Sequence, residues 1–504
     1  MEKPYLLGID DIGTSACKVA AFNREGNVIA AANGDYPVYY PKEGWAEQNP
    51  EEWWTAVCGA IRRVLEKGKI LPEQICGIGI DGQSWSAIAI DQDGKVLTNT
   101  PIWMDTRAQS ICDRLNKEIG AEQIFEVSGN SLQPSYTTAK IIWYKEKLPE
   151  IYGKIYKVLQ SNSYIAYKLT GSISQDVSQG YGLHCFRMRE GIWDKEMCQK
   201  LGIPMEFLPD IVNCDTVVGT VTAKATQESG LCEGIPVVAG GLDVACGTLG
   251  AGVIHPGETQ EQGGQAGGMS ICMDTYKADP RLILGYHVVP GQWLLQGGTT
   301  GGGGVMRWFE REFGDFERAE EKKTGVSSLQ QLNEIAQKVA PGCDGVVFLP
   351  YMAGERSPIW NPDAKGVFYG LDFSKTKGHM VRGCMEGVAL SLRHNLETSK
   401  EAGAEVEVLR AMGGSANSLL WTQIKADVTG KTIIVPSSDT ATTLGAAILA
   451  GVGTGFYKDY EEAVALTVKE TRRHEPDKNN KEIYDHTYNV YLRLYDCLKD
   501  MMKK

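Results

Sequence analysis

The chain has 504 residues, too many for one compact core, so two domains are expected, 1–248 and 249–504. Hydrophobic residues make up 42% and charged residues 23%, as in an ordinary globular protein, and a formal net charge of −12 argues against a nucleic-acid partner, whose phosphates call for Lys and Arg. The 13 cysteines are scattered, with no Cys-x-x-Cys pair or zinc-like Cys/His cluster. The opening residues lack the apolar core of a signal peptide and no run is long enough to span a bilayer, so a cytoplasmic protein without a membrane partner is expected.

In chain order, residues 5–9 and 18–22 read as strands joined by the turn Asp11-Ile12-Gly13-Thr14, and 28–30 follow after a second turn. The spacing of Trp54, Val57, Cys58, Ile61 and Val64 predicts a helix over 50–67. A second hairpin of similar design is expected where 86–90 and 95–97 flank Asp91-Gln92-Asp93-Gly94. Interleaved helices and strands indicate α/β architecture with mixed sheets. Another cycle opens near residue 250. There 258–274 is a glycine-interrupted strand–turn–strand, helices follow at 329–339 and 379–402, and a Gly413-Gly414 turn leads to a helix from Leu419. This reads as a weak internal duplication, each half offering a glycine hairpin to a shared cleft, with loose repetition as the alternative. Charged residues 469–481 are expected to form a solvated connector. Tyr484, Tyr488, Tyr491, Tyr495, Leu498 and Met502 predict the packed face of a terminal helix.

Several glycine-dense segments lie beside acids and hydroxyls, a pattern suited to a polyanion held on backbone N–H groups with a divalent cation offsetting its charge. In the first, Gly13 lets an anion approach, Thr14 and Ser15 add hydroxyl donors, Lys18 adds positive charge, and Asp11 can act through magnesium. An ordinary Asp-x-Gly hairpin turn is the alternative, and the spacing is not that of a Walker loop. Asp243 lies in Ala239-Gly240-Gly241-Leu242-Asp243-Val244-Ala245-Cys246, where small neighbours admit close approach. It is the candidate general base for a hydroxyl attacking phosphorus, and a helix N-cap is its competing role. Trp45 with Glu47, Gln83 with Trp85, and Trp103 with Asp105 and Arg107 form three clusters of the kind that grips a polyol, although each alone is more often structural. Gly413-Gly414-Ser415-Ala416-Asn417-Ser418 can accept a flat adenine on bare backbone or simply turn the chain into a helix.

Taken together, these segments resemble the FGGY-type carbohydrate kinases, most of all the xylulokinase branch, from about Tyr5 to the terminal tyrosine helix. The telling motifs are Gly44-Trp45-Ala46-Glu47-Gln48-Asn49-Pro50, Trp103-Met104-Asp105-Thr106-Arg107-Ala108 and Leu349-Pro350-Tyr351-Met352-Ala353-Gly354-Glu355-Arg356-Ser357-Pro358, continued by Gly366-Val367-Phe368-Tyr369-Gly370-Leu371. The resemblance implies two actin-like (ribonuclease H-like) lobes flanking a central catalytic cleft, with sugar held mainly by the first and ATP mainly by the second. It implies transfer of the γ-phosphate of ATP to a small sugar, a ketopentose such as xylulose, with Mg2+ and with Asp243 as proton acceptor. Asp11, Gly13, Thr14, Ser15 and Lys18 match the first phosphate loop, Gly264 and Gln265 the second, Gly304 a further nucleotide contact, and Gly414 with Ser418 the adenosine site. Trp45, Glu47, Gln83, Ser84, Trp85 and Asp105 fall on or near sugar-contacting positions. Dimers are common among such kinases, so a homodimer is compatible with the resemblance.

Three positions depart from the family pattern. An extra acid in the opening loop makes Asp10 a competitor of Asp11 for the magnesium side. Gln83-Ser84-Trp85-Ser86 stands where Gly-Gln is usually followed by Met-His-Gly, and Gly264-Gln265-Ala266 replaces Gly-Thr-Ser. Phosphate binding is expected to survive, since Gln265 can donate through its amide. Substrate choice is expected to differ, which leaves another ketose, a sugar acid or a polyol open. A non-catalytic sugar sensor or filament subunit on the same scaffold is the alternative of a different class, and the retained Asp243 argues against it.

Overall fold

Short apolar runs between turn residues build an antiparallel meander at the start of the chain: Tyr5–Ile12 (β1), Ala16–Phe22 (β2) and Val28–Asp35 (β3), with Leu7 opposite Ala21 and Ala20 opposite Ala31. The computed structural model describes residues 3–12, 15–437 and 440–503, of Asp11 and Ile12 the backbone only. The chain forms two compact α/β units that interleave in sequence. The first takes Met1–Ile254, Asp274–Leu294 and Thr440–Lys469, and the second takes the rest. A single division after residue 248 would assign 274–294 and 440–469 to the second half; both segments return to the first unit.

In the first unit, Ile75–Gly82 (β4), Val217–Thr220 (β5) and Pro236–Val238 (β6) extend the meander into a mixed sheet ordered β5-β6-β4-β1-β2-β3. β1–β4 and β4–β6 are parallel, and β5–β6 is antiparallel. Both faces of the central strands are covered. On one, Leu7, Ile9, Ile78 and Ile80 share a core with Trp53, Val57, Ile61 and Val64 of the helix Pro50–Gly68, the helical spacing expected from sequence. On the other, Gly8 and Gly79 meet the helix Ala441–Gly453 so closely that an added Cβ would lie 2.2 Å from the Thr443 carbonyl oxygen and 1.8 Å from that of Ala446. The same helix meets Asp243–Gly250 through Gly445, whose Cβ would stand 1.9 Å from the Cys246 carbonyl oxygen.

The second unit repeats the plan. Glu258–Gly263 (β7), Gly267–Met273 (β8), Trp293–Thr299 (β9), Val408–Met412 (β10), Thr432–Pro436 (β11) and Glu470–His474 (β12) line up as β9-β8-β7-β10-β11-β12. Here β7–β10 and β10–β11 are parallel, while β7–β8 and β11–β12 are antiparallel. This strand order matches β3-β2-β1-β4-β6-β5, so the duplication sensed in the glycine hairpins is a duplication of topology. Helices Ser328–Gln337 and Lys377–Glu401 form at the expected places. So does the terminal helix Lys481–Leu498, with Tyr484 and Tyr491 buried.

Two expectations change. The hairpin over 86–97 contributes one isolated bridge, Ile90 to Val96, because Asp91 accepts from the N–H groups of Asp93 and Lys95 and closes a tight turn. Its strand Ile88–Ile90 pairs instead with Lys157–Leu159, outside the main sheet. The expected connector 469–481 holds β12. β11 otherwise exposes a ladder of backbone groups, and a charged strand can cover that edge without inviting further pairing. Among the described residues no helix is long and apolar enough to cross a membrane.

Because backbone meets backbone at Gly445, Gly445→Ala is expected to lower unfolding stability by about 3 kcal/mol, read from the denaturant midpoint. An unchanged midpoint would show that the two helices part without cost.

Candidate active site

Three carboxylates of the first unit are linked through Asp10. Asp10 lies on β1 opposite Lys18 of β2, buried, and accepts a hydrogen bond from the Thr443 hydroxyl. Burial pushes its pKa up, against hydrogen bonds from Thr443 and Asp81 and the charge of Lys18. Asp81 is fully buried on β4. Asp243 opens the helix Asp243–Gly250, and its Oδ1 accepts the Val244 N–H at 2.6 Å. The acid is thus in the first helical turn, where the helix dipole favours negative charge. Desolvation raises it nonetheless to about 7, with the Asp10 charge adding to the rise and the Val244 hydrogen bond opposing it. A carboxylate poised near neutrality can both exist as the base and hold a proton. Gly13 and Thr14 lie outside the described residues, as does the side chain of Asp11. Ser15 is exposed at the start of β2, and Lys18 is half-buried.

The residues expected to touch sugar fall into two groups. Asp105 is fully buried and already engaged: it accepts from the Ala46 N–H at 2.7 Å, from the Arg107 N–H at 3.0 Å and from the Arg107 guanidinium at 2.7 Å. Glu47 takes another guanidinium N–H at 2.8 Å, and Trp45 lies under the same cation at 3.8 Å. These form a strut that joins the 44–48 and 102–107 segments. Gln83 donates to Gln48 at 2.9 Å, and half-buried Ser84 follows it. Trp85 forms the second group. It has a left-handed backbone, φ 63°, and its ring stacks on Tyr136 at 4.2 Å with Tyr181 edge-on at 5.8 Å. His184 abuts Tyr136 at 4.9 Å. Lys140 donates to the carbonyls of Trp85 at 2.7 Å and Ile102 at 2.9 Å, so one ammonium fixes both segments. Burial draws Lys140 down to about 7.

In the second unit, the β7–β8 turn carries Gly264 and Gln265, and the two are brought against Gly304. The N–H groups of Gly303 and Gly304 donate to the carbonyls of Gly264 (2.7 Å) and Gln265 (3.0 Å). An added Cβ on Gly304 would come within 2.3 Å of the Gln265 amide. Bulk at 302–304 would therefore push the hairpin turn away. Glu355, from the Gly354-Glu355-Arg356 motif, accepts the Thr300 N–H at 2.8 Å, and burial raises it to about 7. Gly414 opens a short turn with free space around it, whereas Ser418 caps the helix Leu419–Thr429 by accepting the Trp421 N–H. Beside this turn is a cavity of about 310 Å³ lined by Gly413, Ala416, Asn417, Pro436 and Arg472.

Sequence reasoning missed Thr443, Lys140, Tyr136 and His184. A signal for the first existed: 441–453 is a helix-length run of small residues, which a close contact requires. The others stand on helix starts and turns whose meeting depends on tertiary structure.

Comparison with known proteins identifies the family. Residues 5–250 match the N-terminal domain and 270–454 the C-terminal domain of the FGGY family of carbohydrate kinases. The chain belongs to that family. It is similar to the xylulose kinase of Bacillus subtilis (strain 168), 29% identical over 99% of this chain and 98% of that protein. The gluconokinase of the same organism is 31% identical over 98% of this chain and 96% of its own length. The crystal structure of xylulose kinase from Rhodospirillum rubrum superposes with a TM-score of 0.90 at 28% identity, covering 99% of this chain and all of that one. The fold is thus the actin-like two-lobe fold of a sugar kinase, and the protein is an ATP-dependent carbohydrate kinase.

His184 supplies a pH test of the aromatic group. Its pKa falls to about 4 on burial from an ordinary 6.5, so the unfolded chain binds this proton first on acidification. Stability is therefore complete above about pH 6.5 and declines as pH drops towards 4, by on the order of 3 kcal/mol from this residue. His184→Asn should flatten that part of the unfolding midpoint against pH; an unchanged slope would place the imidazole in water.

Proposed function

We propose that this kinase transfers the γ-phosphate of ATP to a hydroxyl of a small neutral sugar, a ketopentose such as xylulose, with Asp243 as general base. The observation that carries the reading is the position of Asp243: a carboxylate drawn up to about 7 at a helix start, among glycines and small residues, with a second acid nearby. A sugar hydroxyl is a weak acid, and a base of this strength takes its proton as the oxygen bonds to phosphorus. The proton passes to the Asp243 carboxylate, the hydroxyl oxygen forms the new P–O bond, and ADP leaves with the electrons of the old one.

The Trp85–Tyr136 stack supports a sugar subsite, since flat aromatic faces pack on the C–H face of a carbohydrate. A neutral substrate is favoured over a sugar acid because both cations in the group are engaged, Arg107 by Asp105 and Glu47, Lys140 by two carbonyls. The similarity to a gluconokinase keeps a sugar acid as the second reading. Nucleotide binding is assigned to the second unit, with phosphates at Gly264, Gln265 and Gly304 and adenosine at the cavity beside Gly413, Gly414 and Ser418.

Asp10 fits the magnesium side, with Asp11 as its alternative. Asp10 and Asp81 are buried acids in hydrogen-bond contact, a pair whose oxygens a divalent cation would hold in place of the shared proton. Among the described residues no three acidic, His or Cys groups converge on one point. Mg2+ keeps water and phosphate oxygens as most of its ligands, so one or two carboxylates would suffice to hold it. When bound, the ion neutralises charge on the transferring phosphoryl group. Lys18 faces Asp10 across β1–β2 and adds positive charge at the same turn.

ADP release measured against a panel of ketoses, polyols and sugar acids tests the substrate class. Stimulation by xylulose and not by gluconate is expected; the reverse would overturn the neutral-sugar reading. Asp243→Asn should lower transfer of radiolabel from ATP on the order of a thousandfold while sugar and ATP still bind. Full transfer in that variant would remove Asp243 from the chemistry. Trp85→Ala should raise the sugar KM about tenfold or more and leave the ATP KM within about twofold; equal rises would mean that the ring only supports the fold.

A further inference from the structure

A buried ion pair in the second unit has no part in the chemistry above. Glu261, on β7, and Lys425, on the helix Leu419–Thr429, meet at 2.6 Å, with side chains 4% and 1% exposed. The Lys425 ammonium also donates to the Ser415 hydroxyl at 2.7 Å. Three segments therefore converge on one ammonium: the strand that ends in the Gly263-Gly264 turn, the Gly413–Asn417 turn, and the helix after it. The fit is tight. An added Cβ on Gly263 would lie 1.6 Å from Ser415 Oγ and 3.1 Å from Lys425 Nζ, and one on Gly413, at φ 84°, would lie 3.0 Å from the Gly263 carbonyl. β7 and β10 run parallel here, with Glu261 beside Ala411 and Gln262 beside Met412. The two turns leave neighbouring strand ends.

We infer that Glu261, Lys425 and Ser415 form a positioning device that locks the β7–β8 turn to the 413–417 turn, fixing the distance between the sites proposed for phosphate and adenosine. The inference rests on that assignment of the two turns to the nucleotide. Removing two ions from water costs more than an apolar pair of the same volume would, so stability alone does not account for the pair. What the pair adds is direction. An ammonium with two defined acceptors admits one arrangement of strand, turn and helix, where an apolar contact admits several. Each member acts through the backbone of its turn and not by touching the transferred group.

The double variant Glu261→Leu/Lys425→Met tests this. It is expected to keep the unfolding midpoint and the sugar KM of the parent while raising the ATP KM about tenfold, with kcat changed less than about twofold. Ser415→Ala leaves the ion pair intact and cuts its link to the turn, so it should raise the ATP KM in the same sense without loss of stability. It keeps the test decisive where the double variant does not fold. ADP titrated calorimetrically into the parent protein checks the underlying assignment, together with Gly414→Val, which places bulk on the adenosine turn. If parent affinity for ADP survives Gly414→Val, the assignment of the turns fails. If Gly414→Val abolishes binding but the double variant and Ser415→Ala bind as the parent does, the positioning role fails alone. ATP and sugar KM values that rise together with a lowered midpoint would reduce the cluster to a structural contact.

Discussion

Everything at the proposed base depends on one contact made of backbone. The helix Ala441–Gly453 lies on β1, β4 and Asp243–Gly250 with no side chain thick enough to hold them apart, because Gly8, Gly79, Gly250 and Gly445 have none. From that seat Thr443 reaches Asp10, and the neighbouring helix starts at Asp243. Larger residues would separate the layers by ångströms, and an acid moved by that distance no longer meets a hydroxyl in line with phosphorus. The chain carries this helix nearly two hundred residues beyond Asp243, so the site is closed by a segment remote in sequence. That remoteness is why the two units interleave.

The close packing has an electrostatic consequence. Excluding water around Asp10 and Asp243 weakens the solvation that keeps carboxylates acidic, and the Asp10 charge adds to the rise at Asp243. The outcome is a carboxylate near neutrality, which suits the proposed base without a histidine. Asp105 shows the opposite use of the same residue type. Its carboxylate is held by a guanidinium and two backbone N–H groups, so it braces the 44–48 and 102–107 segments. Asp105 and Asp243 are both acids that the sequence marks as candidate site residues. Only their partners separate the strut from the proposed base.

Much of this was legible in the chain. Periodicity located the helix Pro50–Gly68 and the terminal tyrosine face, because those elements bury one stripe against a core and nothing else competes for it. Glycine density marked both β1–β2 and β7–β8, and the β7–β8 turn lies against the 302–304 backbone, where little else fits. Charge misled at β12: residues 469–481 look solvated, and the strand they contain is solvated on one side while pairing with β11 on the other. Periodicity also misjudged 86–97, where Asp91 takes backbone N–H groups that a ladder would need. The aromatic group around Trp85 was half visible. Trp85 itself stood out as a departure from the family pattern, but Tyr136 and Tyr181 reach it, with His184 against Tyr136, from segments about fifty and a hundred residues away, and no local pattern encodes such a meeting.

The repeated topology makes one comparison possible within a single chain. Asp10 and Glu261 each stand two residues before the end of the first strand of their sheet, and each meets a side chain offered by a helix. The group offered by the helix differs. Asp10 receives a neutral hydroxyl from Thr443, and burial raises its pKa although that hydrogen bond and the charge of Lys18 oppose the rise. Glu261 receives the ammonium of Lys425, which cancels its charge inside the protein. An unbalanced acid attracts a cation or a proton and so suits chemistry; a balanced one attracts nothing and so suits support. Duplication supplied the same position twice, and the residue across from it decided which of the two the acid became.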